Sequence, residues 1–227
     1  MRRDLLNGFL AMVIFTVLLG FVYPLLVTGV SQGIFPGKAN GSLIKRNGVV
    51  VGSALIGQQF YEPAIGKNGK AETVKGVAVI QPDPRYFQTR PSGTGEPYVT
   101  GGTADNAAGS AFSNAGPNSV ATKADDLANI QTYLKLEKPY NSRLSAATIP
   151  VDAVNSSASS VDPDISVANA QIQAHRIAAV RHLSLATVDG LIATYTTSRS
   201  LGFLGEPGVN VLELNLALDR VQQGASN

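Results

Sequence analysis

The main apolar run of the sequence lies near the N-terminus, from Phe9 to Val30, and no charged residue occurs between Asp4 and Lys38. A helix of these 22 residues would be about 33 Å long, which is enough to cross the hydrocarbon core of a membrane. A cleaved signal peptide is the alternative, but its apolar run usually has only about 7 to 15 residues. The run therefore predicts a retained transmembrane helix.

The flanks of this run bear on its orientation. Arg2 and Arg3 precede it, and basic residues usually mark the cytoplasmic side, although Lys38 begins a second basic flank that weakens the bias. We expect a cytoplasmic stub and transmembrane helix over residues 1–35. A single extracytoplasmic soluble domain of mixed α/β structure is expected over residues 36–227.

Two features inside the run concern helix packing. Thr16 and Gly20 form a small-xxx-small pair, which would let another membrane helix approach closely. A plain anchor with incidental small residues is the alternative. Pro24 has no N–H and should weaken the helical hydrogen bonds near the outer end.

The patterns after the run mix strand and helix. Val49–Gly57 is rich in β-branched residues and predicts a strand, and Gly76–Gln81 is a second candidate. Gln88–Ala121 is rich in Gly, Ser, Thr, Asn and Ala and predicts a flexible loop. A helix is then indicated by apolar residues at helical spacing, namely Leu127, Ile130, Tyr133 and Leu134.

Two further helices are predicted in the C-terminal part. The first runs from Asp162 to about His182 and has an apolar stripe at Ala170, Ala174, Ile177 and Val180. The second begins after Ser184, a residue type that commonly caps a helix N-terminus. Together with the candidate strands, these helices give the α/β class.

The stretch from Leu201 to Arg220 fits either a strand or a helix, because leucines alternate with polar residues from Leu212 onwards. Asn210 decides between them. It precedes the apolar residues, and Glu213 follows three positions later, which is an Asn form of the capping box. The sequence therefore predicts a helix over Val211–Gln222, with Gly224 as its stop.

Composition excludes several classes of function. Among 227 residues, 18 basic and 16 acidic side chains give a net charge of +2, so a broad basic face for nucleic acid is not expected. The chain has no cysteine, which rules out disulfides and thiolate metal sites.

The usual catalytic motifs are absent from the sequence. It contains no phosphate-binding P-loop, no H-E-x-x-H zinc motif and no G-x-S-x-G nucleophile elbow. His175 and His182 lie seven residues apart and could share a metal, but a solvated pair is the favoured interpretation. An accessory or binding protein is expected, with no catalytic residue and no metal site.

Several stretches resemble a known family in their order along the chain. The resemblance is to the C subunit of the bacterial Kdp potassium-transporting ATPase, the KdpC family. The stretches are YPLLVTGVSQGIFP (23–36), ANGSLI (39–44), VGSALIGQQF (51–60), YFQTRPSGTG (86–95), SNAGPNS (113–119) and LGFLGEPGVNVLELNLALD (201–219).

The resemblance implies a set of partners in the bacterial plasma membrane. These are a channel-like potassium-binding subunit, a P-type ATPase subunit and a very small peptide, with ATP and potassium used by the complex. The chain itself would be a non-catalytic subunit, and it lacks the D-K-T-G phosphorylation motif. An independent membrane-anchored binding protein is the alternative.

The resemblance also implies a role for Gln173. In the family, a glutamine after a D-P-x-I-S segment is linked to a chaperone role that raises the ATP affinity of the catalytic subunit. Here Asp162–Ser166 has that pattern, and Arg176 and Arg181 match family arginines. An ordinary helix residue bonded to backbone or water is the alternative. Because the expected topology puts Gln173 outside the cell, any effect on ATP should be indirect.

Overall fold

A computed structural model describes residues 2–66, 69–74, 77–91, 115–116 and 118–225. The chain forms two compact units, Met1–Ser53 and Ala54–Asn227. The first unit thus extends past the expected anchor, because a β-hairpin after the anchor belongs to it.

The first unit contains one long apolar helix. Helix α1 (Arg2–Val17), a π-helical turn (Leu18–Val22) and helix α2 (Tyr23–Ile34) follow one another without a break. Together they span 33 residues and are long and apolar enough to cross a membrane. The run Phe9–Val30 lies inside this helix, as predicted.

The π-helical turn lies directly before Pro24. The backbone N–H of Tyr23 donates to the carbonyl of Leu18, five residues back. Pro24 has no N–H to offer the carbonyl of Gly20, and its ring would clash with that carbonyl in a regular α-helix. The widened turn relieves this conflict, so Pro24 does interrupt the α-helical ladder, and Gly20 lies within the interruption.

The first unit ends with a short helix and a hairpin. Helix α3 spans Pro36–Ala39, and strands β1 (Leu43–Arg46) and β2 (Val49–Ser53) pair antiparallel. Asn47 and Gly48 connect them, both with positive φ (52° and 80°). This Asn-Gly pair suits a tight two-residue hairpin turn. The predicted strand Val49–Gly57 is therefore shorter than expected.

The described residues of the second unit form three small antiparallel sheets. Strands β3 (Tyr61–Pro63) and β6 (Ile80–Pro82) form one pair, and β4 (Thr73–Val74) and β5 (Val77–Ala78) form another. The third sheet has the order β7 (Asp164–Ser166), β9 (Gly208–Asn210), β8 (Thr196–Thr197). The predicted strand Gly76–Gln81 is thus split between β5 and β6, and Gly76 lies outside the described residues.

Four α-helices lie in the part of this unit that the structure describes: α4 (Val120–Glu137), α5 (Val167–Arg181), α6 (Leu185–Thr194) and α7 (Val211–Ala225). Serines cap the first three, since Ser119, Ser166 and Ser184 each accept the amide three residues later. The cap at Ser184 was predicted. The predicted start of α5 at Asp162 was wrong, because Asp164–Ser166 pairs with β9 as a strand.

The last helix confirms the prediction made from Asn210. The side chain of Asn210 accepts the amide of Glu213 at 3.1 Å, and Val211 begins the helix. Helix α7 runs to Ala225, three residues beyond the predicted end. Leu214 and Leu218 are fully buried, whereas Leu216 between them is only half-buried. A helix explains this difference, because a strand would place all three leucines on one face.

The main hydrophobic core lies where α5, α6 and α7 meet the third sheet. Its buried residues include Ala170, Ala174, Ile177, Val188, Ile192, Val209, Val211, Leu214, Leu218 and also Phe87. Phe87 belongs to a segment without strand structure, yet its side chain is fully buried. Most of the predicted loop Gln88–Ala121 and part of the SNAGPNS stretch lie outside the described residues.

Candidate functional site

Gln173, the residue that the family resemblance singled out, is buried in the second unit with 1% of its surface exposed. Its side-chain oxygen accepts the amide of Gln88 at 2.8 Å and Nη2 of Arg176 at 3.0 Å. Its side-chain nitrogen donates to the carbonyl of Gln88 at 3.1 Å and to Oδ1 of Asn169 at 3.0 Å. An amide has two donors and two acceptor lone pairs, so all four are used.

Asn215 on α7 makes the same kind of contact with the preceding residue. Its Oδ1 accepts the amide of Phe87 at 2.9 Å, and its Nδ2 donates to the carbonyl of Phe87 at 2.9 Å. Asn215 is also 1% exposed. Two buried amides from two helices therefore hold two adjacent residues of one segment through their backbone.

The two arginines matched to the family extend this arrangement. Nη1 of Arg176 donates to the carbonyls of Pro84 at 2.5 Å and Tyr86 at 2.9 Å. Nε of Arg181 donates to the carbonyl of Arg85 at 2.6 Å. All five carbonyls of residues 84–88, called here the clamped segment, thus accept side-chain donors from α5 or α7.

Arg176 is also half of a buried ion pair. Its Nε donates to Oε1 of Glu137 on α4 at 2.9 Å, and both side chains are almost fully buried. Burial raises the pKa of Glu137, and the charge of Arg176 opposes part of that rise. The other carboxylate oxygen of Glu137 has no hydrogen-bond partner among the described residues. This pair ties α4 to α5.

Arg181 holds the far end of α5 against α7. Its guanidinium donates to Asp219 at 3.0 Å and to Gln222 at 2.9 Å. It also lies over the ring of Tyr86, with 4.6 Å from its central carbon to the ring centroid. Tyr86 in turn stacks on Phe60 at 4.8 Å. The start of the clamped segment is therefore packed as well as hydrogen-bonded.

The N-terminal end of α5 is fixed by a second polar cluster. Asp152 accepts the amide and the hydroxyl of Ser166, both at 2.8 Å, and Nδ2 of Asn169 at 3.1 Å. Tyr133 on α4 donates to Oδ1 of Asn169 at 2.8 Å. Because Asn169 contacts Gln173, this cluster and the clamped segment form one continuous network.

These contacts limit what Gln173 can do chemically. No donor or acceptor of its side chain is left for a ligand.

A surface depression of about 520 Å³ borders α5 and is lined by Ile172 and His175, with Tyr140, Asn141, Ser142, Arg143, Leu144 and Thr148. Gln173 is absent from that lining. The described residues contain no cluster of three metal-ligating side chains, and both His175 and His182 are exposed.

Sequence reasoning missed Asn215, Glu137 and Asp152. Asn215 had a usable signal, since a polar residue between Leu214 and Leu216 on a helix predicted to be buried needs a hydrogen-bond partner. Thr16 and Gly20 lie in the other unit, within the long apolar helix.

Comparison with known proteins matches the sequence of this chain to one family. The family model described as KdpC: K+-transporting ATPase, c chain, matches residues 5–220. Proteins named potassium-transporting ATPase KdpC subunit are similar over nearly their full length. The one from Mycobacterium bovis BCG is 43% identical over 222 residues, 97% of this chain and 100% of that protein. The one from Streptomyces coelicolor is 41% identical and covers 97% of this chain and 94% of its own length. The one from Methylococcus capsulatus is 43% identical and covers 94% of this chain and 95% of its own length.

These relatives place the chain in a class, the subunits of potassium-transporting ATPases, and the candidate membrane span fits that class. Within this class the chain belongs to the KdpC family. It is therefore an accessory subunit of a Kdp complex, as the sequence resemblance indicated.

Proposed function

We propose that this chain is a single-span subunit of the bacterial plasma membrane with a cytoplasmic N-terminus and an extracytoplasmic domain. Its function is to hold together the channel-like subunit, the P-type ATPase subunit and the small peptide of the complex. Arg2 and Arg3 ahead of the 33-residue apolar helix support this orientation. The chain's own residues carry out no chemical step.

Any chaperone effect on ATP use is indirect in this proposal. The observation that carries this point is Gln173, which is 1% exposed and has four hydrogen bonds. A nucleotide would have to displace the clamped segment to reach it, and a neutral amide offers no charge to a triphosphate. Gln173 therefore acts by fixing the clamped segment, and the complex senses ATP through contacts that differ between its states.

A single introduced cysteine tests the orientation, because the chain has none of its own. Gln171 lies on α5 next to the network but is exposed, so Gln171→Cys should leave the fold intact. A membrane-impermeant maleimide added to intact cells should label it. Leu5→Cys, near the opposite end of the span, is the control and should be labelled only after the cells are broken. The reverse pattern would place the domain in the cytoplasm.

Deletion of the chain tests the assembly role. Without it, the channel-like and ATPase subunits should fail to co-purify after detergent extraction. Full co-purification would show that they assemble without this subunit. A nucleotide photo-crosslink to Gln173 in the intact complex would refute the indirect role.

A further inference from the structure

The loop between β8 and β9 carries an exposed apolar tip, Leu201–Leu204. Leu201 is 83% exposed, Phe203 68% and Leu204 50%. Together they offer on the order of 400 Å² of apolar surface, within the size range at which exposed patches are often functional. None of these three side chains belongs to either hydrophobic core cluster of the described residues.

The tip has a fixed backbone. Ser200 and Leu204 exchange two backbone hydrogen bonds of 2.9 Å, and the amide of Phe203 donates to the carbonyl of Ser200 at 3.3 Å. Gly202 has φ +82°, which glycine adopts without steric strain, but Leu201 has φ +55°, a conformation that a leucine rarely adopts. A strained backbone that holds an exposed leucine is the kind of feature found at functional contacts.

The surroundings of the tip favour a protein partner over a lipid surface. Arg199 pairs with Glu206 across the base of the loop, so these two charges compensate each other beside the tip. Segments that bind membrane surfaces usually place unpaired Lys or Arg beside their apolar residues. A rigid backbone lowers the entropy lost on docking into a shaped recess.

The size of the tip argues against a second copy of this chain as its partner. A stable interface buries about 800 Å² on each side, and the tip supplies about half of that. Such a contact is effective when another attachment already keeps the partner close, as a shared membrane complex does.

We infer that the tip inserts into an apolar recess on another subunit of the Kdp complex. Leu201 and Phe203 are the side chains that fill the recess. This inference rests on the assembly role proposed above and assigns it to a surface.

Two substitutions in the full complex test the inference. Leu201→Asn removes the apolar side chain while keeping the left-handed conformation, which asparagine tolerates. Phe203→Ser removes the aromatic ring. Each should reduce co-purification of the other subunits about tenfold or more. The thermal unfolding midpoint of the subunit itself should stay unchanged or, for Leu201→Asn, increase. Val151→Ser, at a 74% exposed site elsewhere, is the matched control and should have no effect.

A photo-reactive phenylalanine analogue in place of Phe203 identifies the partner directly. A covalent adduct with another subunit is expected in membranes that contain the whole complex. An adduct with lipid or with a second copy of this chain would overturn the inference, and so would unchanged co-purification of both variants. If deletion of the whole chain still disrupts the complex in that case, the assembly role stands and only the tip is excluded.

Discussion

Gln173 and Asn215 lie on different helices and hold adjacent residues of one segment, Gln88 and Phe87, each by a pair of backbone hydrogen bonds. Each amide takes the place that a neighbouring strand would occupy in a sheet. The segment therefore keeps its backbone satisfied inside the domain without belonging to any sheet.

Asn215→Ala should destabilise the chain strongly. The change leaves the amide and carbonyl of Phe87 buried without partners, and each such group costs about 1 to 3 kcal/mol. We expect a loss of about 2 to 6 kcal/mol in the free energy of unfolding, measured by chemical denaturation of the detergent-solubilised chain. Gln171→Ala, at an exposed site on α5, should change it by less than about 0.5 kcal/mol. A small loss for Asn215→Ala would mean that water replaces the amide.

The same pair separates direct from indirect effects on ATP. If Gln173 acts only by fixing the clamped segment, Gln173→Ala and Asn215→Ala should raise the apparent KM for ATP of the whole complex in the same direction and to a similar extent. The ATPase activity of purified complex, with subunit content checked, measures this. A change for Gln173→Ala alone would point to nucleotide contact at that residue.

The buried Glu137 predicts a pH dependence. Burial raises its pKa in the folded state above the ordinary value near 4.5, so the folded chain binds this proton more tightly than the unfolded chain. Stability contributed by Glu137 is therefore present at low pH and is lost as pH rises from the unfolded pKa to the folded one. Wild type should lose stability relative to Glu137→Gln as the pH rises through the range above about 4.5. Parallel denaturation curves for the two proteins across that range would contradict the prediction.

Gly57 is fixed by close packing. A methyl group there would lie 2.3 Å from the carbonyl oxygen of Asp162, a backbone atom that cannot move freely. Gly57→Ala should cost about 1 to 3 kcal/mol or more, read from the thermal unfolding midpoint. Gly190→Ala is the matched control, since nothing lies within 4 Å and the residue is inside α6. It should stabilise by about 0.5 to 1 kcal/mol. Equal midpoints for both variants would argue against the close approach.

The small residues of the span give a further prediction. If Gly20 lets a partner helix approach, Gly20→Leu should release the subunit from the solubilised complex, and Gly8→Leu in the same helix should not. Co-purification with the other subunits of the Kdp complex measures both. If both variants stay in the complex, the span serves only as a membrane anchor and Gly20 does not mediate helix packing.

Local signals explain what the sequence could predict. The apolar run, the cap at Ser184 and the pairing of Asn210 with Glu213 each depend on residues within a few positions of one another. The structure confirms both caps and shows that the apolar run is a helix long enough to cross a membrane. The start of α5 was misplaced because Asp164–Ser166 becomes a strand only through pairing with β9.

The clamped segment could not be predicted for the same reason. Gln88 and Gln173 are separated by 85 positions in the sequence, and Phe87 and Asn215 by 128. Nothing in the local pattern around Gln88 indicates these contacts. The resemblance pointed to Gln173, Arg176 and Arg181 but not to the backbone that they hold.

The π-helical turn before Pro24 changes how the span must be projected. One additional residue in a turn rotates everything beyond it by about 100° relative to a regular helix. A single helical wheel drawn through residues 2–34 would therefore align the wrong side chains. Two wheels are needed, one ending at Val17 and one beginning at Tyr23. Residues before and after the π-helical turn therefore cannot be assigned to one face of the span from their sequence spacing alone.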